Sequence, residues 1–255
     1  MTVGIRKAGD FCWINMLTPQ PDAAREFFSA VLGWTYSEIP GMGHSIEVGG
    51  RPLGGLFDLN GPGTPPGMSP HIGVMIKVDS ADATAQRVAE LGGQARASFD
   101  VGDKGRMTVC IDPNGAAFDV WEPKQSHGTE VDGKLPGAPS WFETMTTDAA
   151  KAEAFYAGLF GWEAEASPNS AVKYFSFKHH GIPIAGMLQL TPEMGSMPPV
   201  WATYFTVTNA DETAAKAKER GGKLCMGPQD VHGIGRFAAL LSPQGVFFYV
   251  IHYFN

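Results

Sequence analysis

The chain is poor in cysteine, carries no surplus of positive charge and contains no long apolar run, and each shortage removes a class of function. Its three cysteines, Cys12, Cys110 and Cys225, stand far apart with no Cys-x-x-Cys pair. Neither a disulfide framework nor a thiolate zinc site is therefore expected. Against 26 Asp and Glu there are 19 Lys and Arg, a net charge of -7 spread without blocks of one sign. Nucleic acid and membrane surfaces are not expected partners. No stretch approaches roughly 18 apolar residues, and Met1 to Asp10 has no signal-like apolar segment, so neither a membrane span nor secretion is expected. These shortages point to a cytoplasmic protein whose partner is a small molecule.

What is present is ample core material, 44% hydrophobic residues over 255 positions, enough for two ordinary domains. The chain repeats itself. Trp13 returns as Trp141 and Gly33-Trp34 as Gly161-Trp162, with AAREFFSAVLGW answering KAEAFYAGLFGW. Further on, Gly92-Gly93 returns as Gly221-Gly222, and Gly105-Arg106 as Gly235-Arg236, the register having drifted by two residues. Between the copies lies PKQSHGTEVDGKLPGAP, rich in Gly, Pro and charge and without apolar periodicity. The division is 1–123, a linker at 124–138, and 139–255.

Each copy divides again. In the first, an alternating strand near Phe11 to Leu17 leads into a helix with Phe27, Phe28, Val31 and Leu32 as its apolar stripe, ended by Gly33. Strands follow at Thr35 to Ile39, His44 to Val48 and Pro52 to Leu59, and the loop NGPGTPPGMSP closes the unit. The second unit opens with HIGVMIKV, continues through the helix SADATAQRVAEL, and ends in strands near Ala95 to Phe99, Arg106 to Ile111 and Ala116 to Trp121. The expected class is α+β, with a βαβββ module twice in each copy.

That arrangement, with FFSAVLGW or FYAGLFGW after the first strand and DPNGAAFDVWEP or SPQGVFFYVIHY at the end, resembles the vicinal-oxygen-chelate superfamily of glyoxalases, bleomycin-resistance proteins and extradiol dioxygenases. It is similar in particular to tandem members labelled glyoxalase-like or hydroxylase. The resemblance implies two tandem domains, each a curved, open-barrel mixed sheet, and either a monomer or a homodimer. It also implies a divalent metal, held by His or Glu from the first and last strands of each module. Counted from the helix-ending glycines, those positions fall on Trp13 and Gly73 in the first copy and Trp141 and Ala202 in the second. The last-strand position falls on Asp119 and Tyr249, and the fourth near Gly55 and Leu56 or Gly186 and Met187. Only Asp119 could bind metal, and a zinc or iron site needs about three protein ligands. No cofactor is expected; a metal would require a shifted site, for which His71, Asp119 and Asn15 are the candidates.

Without a metal, each copy offers a bowl. Trp13, Asn15 and Trp121 are expected to line the first, and Trp141, Tyr204, Phe247 and Tyr249 the second. A carboxylate in such surroundings is a candidate general acid or base, which selects Asp119 and Glu143, with His71 as a further catalytic candidate. The bland alternatives are core packing for the tryptophans and ordinary hydrogen bonding for the acids. Arg106 and Arg236 are expected to be structural, and His179-His180 to be exposed in a strand turn. Three functions compete: a metal-independent lyase, isomerase or hydroxylase-like enzyme acting on a small carbonyl or aromatic metabolite; a non-catalytic sequestering protein; and a metal-dependent glyoxalase or dioxygenase with a relocated site.

Overall fold

Strands and helices fall largely where the apolar periodicity places them. The computed structural model describes residues 6–61, 64, 67–167, 172–195 and 197–254. Four residues of the NGPGTPPGMSP loop and one of the TPEMGSMPPV loop lie outside the described residues. The first half runs β1 (Phe11–Thr18), α1 (Pro21–Leu32), β2 (Thr35–Ile39), β3 (Gly43–Val48), β4 (Arg51–Asp58), β5 (His71–Lys77), α2 (Ala81–Glu90), β6 (Gln94–Ala95), β7 (Phe99–Val101), β8 (Gly105–Ile111) and β9 (Ala117–Pro123). The second half runs β10 (Pro139–Thr146), α3 (Ala149–Phe160), β11 (Glu163–Ala166), β12 (Tyr174–His179), β13 (Ile182–Gln189), β14 (Val200–Thr206), α4 (Ala210–Glu219), β15 (Lys223–Val231), β16 (Gly235–Leu241) and β17 (Phe247–Tyr253). Helices α1 and α3 stop at Gly33 and Gly161, whose φ values of 71° and 70° lie in the left-handed region where a Cβ is penalised.

Each half forms one mixed sheet, in the order β2-β3-β4-β1-β5-β9-β8-β6 and β11-β12-β13-β10-β14-β17-β16-β15, with β7 pairing β8. In both, the first strand of each module runs parallel to the last strand of the same module and antiparallel to its counterpart across the centre. Central strands therefore carry two different faces. In β1, Ile14 and Met16 are fully buried in the main core, while Asn15 lies on the opposite face between them. In β10, Phe142 faces the same core and Glu143 and Met145 alternate around Thr144.

The main core is shared by both halves. Phe11 stacks on Phe142 at 4.1 Å, Phe28 meets Phe248 at 5.0 Å, and Trp34 meets Phe205 edge-on at 5.1 Å. Polar groups buried at this seam are paired: the Trp162 indole donates to the Gly9 carbonyl at 3.0 Å, Tyr156 to Asp112 at 3.0 Å, and Trp201 to the Tyr156 hydroxyl at 2.8 Å. The connecting segment is pinned despite its composition. The Thr129 and Gly137 amides donate to the carbonyls of Cys12 and Thr206, and Val131 and Ala138 are buried.

Two expectations change. The strand expected at Ala95 to Phe99 is split into β6 and β7, which pair with β8 separately, and between them the Thr108 hydroxyl donates to the Ser98 hydroxyl at 2.7 Å. His179 is buried, not exposed: its Nδ1 lies 3.0 Å from Asp10 of the first half, and His180 lies over its ring at 4.1 Å. Arg106 bonds Asp82 and Asp100, and Arg236 bonds Asp211 and Asp230, ties between strands and helices of the kind expected for structural residues.

Candidate functional site

On the face of each sheet turned away from the shared core, cross-strand pairing brings together residues far apart in sequence. In the first half Asn15 lies opposite Gly55 on β4 and Gly73 on β5, while Trp13 lies opposite Met75, which in turn neighbours Asp119 on β9. The row through Gly55 and Gly73 thus passes through Asn15, two residues beyond the position counted from Gly33. A register shift between Phe11 and Trp13 accompanies this.

Asn15 and Asp119 are joined, Nδ2 donating to Oδ2 at 3.3 Å. Asp119 lies deep in the first bowl yet keeps part of its surface open. Burial pushes its carboxyl up from the ordinary 3.8 to about 7, with the Asn15 hydrogen bond pulling the other way. Gly73 leaves room for about a methyl group beside it, bounded also by the Asn15 carbonyl at 3.7 Å from the missing Cβ. A Cβ there would stand 3.7 Å from Asp119 Oδ2 and 3.8 Å from Cδ2 of His71, ordinary contact distances with nothing nearer. Trp13, half-buried, packs with Met107 and Val101 beside the buried Met75 and Trp121. The Trp121 indole is committed elsewhere, donating to the Ser126 carbonyl at 2.8 Å.

The second bowl is filled by its own side chains. Tyr204 and Tyr249 stack in parallel at 4.2 Å, Phe247 meets Tyr249 edge-on at 5.1 Å, and Met145, Phe237 and Ile251 are buried around them. Glu143, 6% exposed, accepts from the Tyr204 hydroxyl at 3.1 Å and also from Tyr174, whose hydroxyl receives the Trp141 indole N–H at 3.2 Å. Burial raises the Glu143 carboxyl from 4.5 to about 7, and the two tyrosines act against that rise. Gly186 lies opposite Glu143, and a Cβ there would be 1.9 Å from the Tyr174 hydroxyl oxygen, so the phenol occupies the volume of the missing side chain. The family resemblance puts the fourth position of this half near Gly186, whereas Tyr174 does not stand out in the sequence, because β12 reaches Glu143 only through strand pairing.

Known proteins match both halves. A family model described as a glyoxalase-like domain covers residues 13–121, and one described as glyoxalase/bleomycin resistance protein/dioxygenase superfamily covers residues 139–250. CFP32 of Mycobacterium tuberculosis (strain CDC 1551 / Oshkosh), which carries a provisional glyoxylase name, is 34% identical over 246 residues, covering 94% of this chain and 93% of its own. This chain belongs to the glyoxalase/bleomycin resistance protein/dioxygenase superfamily. DnrV of Streptomyces peucetius, named an anthracycline biosynthesis protein, is another relative of this glyoxalase-like chain, 32% identical over 260 residues and covering 94% of it and 91% of DnrV. Among solved structures, the Mn(II)-bound glyoxalase from Novosphingobium aromaticivorans aligns with a TM-score of 0.66 at 14% identity, covering 96% of this chain and 82% of its own. Homoprotocatechuate 2,3-dioxygenase from Brevibacterium fuscum aligns with a TM-score of 0.65 at 12% identity, covering 98% and 82%. At such identities these two structures share the fold.

The metal that the fold family implies does not fit the donors present. At the four corner positions the first half offers Asn15, Gly55, Gly73 and Asp119, and the second Glu143, Gly186, Ala202 and Tyr249. Each set holds one carboxylate, and among the described residues no group of three or more His, Cys, Asp or Glu is placed to hold a metal ion. In the second half the fourth corner is closed by the Tyr174 phenol. Among the described residues no helix is long and apolar enough to cross a membrane.

Proposed function

We propose that the first bowl of this glyoxalase-like protein binds a small carbonyl-bearing or aromatic metabolite, and that Asp119 moves a proton to or from it without a protein-held metal. The observation that carries this reading is the placement of Asp119. It is deep enough to be held near neutral pKa, open on one side, and aimed at the space over Gly73. A group titrating near working pH serves equally as acid and base. Asn15 orients it, and the half-buried Trp13 supplies an apolar wall. The name of DnrV, an anthracycline biosynthesis protein, supports an aromatic ligand of this kind. We assign the covered Glu143 to holding β10, β12 and β14 together through its two tyrosines.

The test pairs two variants. In saturation-transfer NMR with small ketones and phenols, Gly73→Leu should abolish binding by filling the space, while Asp119→Asn should keep binding and lose turnover. Unchanged binding in Gly73→Leu would move the site elsewhere. Ligand binding by the parent with no turnover on any such compound would favour sequestration, the reading that the indole wall of Trp13 also supports.

A further inference from the structure

A cavity of about 340 Å³ lies where the two halves meet and shares no residue with either bowl. One wall is α2, on which Ser80, Ala83, Thr84 and Arg87 follow one another at intervals of three and four. That spacing makes them a single stripe running about 10 Å along the helix. The facing wall is Leu159 and Phe160, the last residues of α3. The internal repeat supplies a comparison. The counterpart of this seam lies between α4 and α1, where Val31, Leu32 and Thr213 are buried. Their equivalents in register, Leu159, Phe160 and Thr84, are only half-buried, and where α4 carries Glu212, α2 carries Ala83. The same fold thus covers these side chains at one seam and leaves them beside open space at the other.

Arg87 sets the charge of the cavity. Its Nε donates to the Gly158 carbonyl of α3 at 3.3 Å and one terminal nitrogen donates to Glu90 at 2.8 Å, which fixes the guanidinium across the two helices. The other terminal nitrogen has no hydrogen-bond partner among the described residues. At the far end of the stripe the N-terminus of α2 adds positive potential, and Asp79, which also lines the cavity, stands just before that helix end, where its charge is offset. We propose that this seam cavity is a second ligand site, for a monocarboxylate with a compact apolar body. The carboxylate accepts from the unpartnered end of Arg87, a charge-assisted hydrogen bond. The ring or branched chain lies between Ala83 and the wall of Leu159 and Phe160 and covers their exposed surface. A ligand held there touches α2 of the first half and α3 of the second, so its binding favours the docked arrangement of the halves.

The experiment is isothermal titration calorimetry of the full chain with 3-phenylpropionate, and with 3-phenylpropylamine as its cationic counterpart. The acid should bind and raise the unfolding temperature as its concentration rises, and Arg87→Gln should weaken it by about 10-fold. Ala83→Glu writes the residue of α4 into α2, placing a longer, negatively charged side chain in the cavity, and should abolish binding. Glutamate three residues after the Ser80 cap completes a capping box, so α2 keeps its start, and circular dichroism checks the fold. Gly73→Leu, in the first bowl, should leave the affinity for the acid unchanged. No binding by the parent, binding of the amine as tight as that of the acid, or full binding by Ala83→Glu would each overturn the proposal. Loss of binding in Gly73→Leu with retention in Ala83→Glu would overturn it by placing the acid in the first bowl.

Discussion

Replacing Asp119 by asparagine should make the protein's stability less sensitive to rising pH between about 4 and 7. In the parent, burial lifts this carboxyl from 3.8 to about 7. A raised folded-state pKa means that the folded chain binds the proton more tightly than the unfolded chain. Below the unfolded value both states are protonated and burial carries no charge penalty. Between pH 3.8 and about 7 the unfolded chain ionises first and folding stability falls; above about 7 the full penalty is present. Three units at about 1.4 kcal/mol each give a loss of about 4 kcal/mol across that window. Asparagine has the same shape, keeps an oxygen to accept from Asn15 Nδ2, and does not ionise. Glu143 titrates in both proteins, from 4.5 toward about 7, so the parent should lose stability with pH about twice as steeply as the variant. Guanidinium unfolding of both proteins from pH 4.5 to 8 measures the two slopes. Equal slopes would refute the placement of Asp119 as a buried, near-neutral acid.

Three further outcomes follow from the second half. Tyr204→Phe removes a donor to Glu143 and should destabilise the protein by about 1–3 kcal/mol at pH 8 and less at pH 5, where Glu143 is mostly protonated, as read by unfolding midpoints. Gly186→Ala places a methyl group in the space of the Tyr174 hydroxyl and should cost about 1–3 kcal/mol. In a Tyr174→Ala background that penalty should largely vanish; a persistent penalty in the double-mutant cycle would contradict the close approach. Glu143→Gln should leave ligand binding to the first bowl unchanged in the NMR assay, while flattening the pH dependence of stability as Asp119→Asn does.

Much of the fold was legible because its signals are local. Gly33 and Gly161 mark helix ends, the apolar stripe of Phe27, Phe28, Val31 and Leu32 marks a buried helix face, and the repeat shows that one solution serves twice. The site was legible in part. Period two grouped Asn15 with Trp13 on β1 and Asp119 with Trp121 on β9, and a hydrogen bond from Asn15 to Asp119 joins the two strands on that face. The residues that decide what each bowl can do lie across strands. Tyr174 and Gly186 matter because β12 and β13 bring a phenol over a glycine beside Glu143, a relation with no fixed spacing in sequence. The shared core was equally hidden, since the Phe11 and Phe142 stack looks in sequence like two separate buried aromatics. The connecting segment follows the same rule: its composition suggests a free tether, but Val131, Ala138 and the Gly137 carbonyl, which accepts from the Trp34 indole, tie it into the seam.

The central claim is that the superfamily's metal corner holds, in each half of this chain, a single carboxylate, Asp119 in the first and Glu143 in the second, without the further ligands a metal needs. Metal stoichiometry by plasma mass spectrometry tests it most directly, on protein stripped with chelator and then dialysed against trace manganese, iron(II), nickel and zinc. The donor sets around Asp119 and Glu143 predict no stoichiometric metal. About one metal per chain, lost in Asp119→Asn or in His71→Gln, would contradict the account and make the first bowl a relocated metal centre.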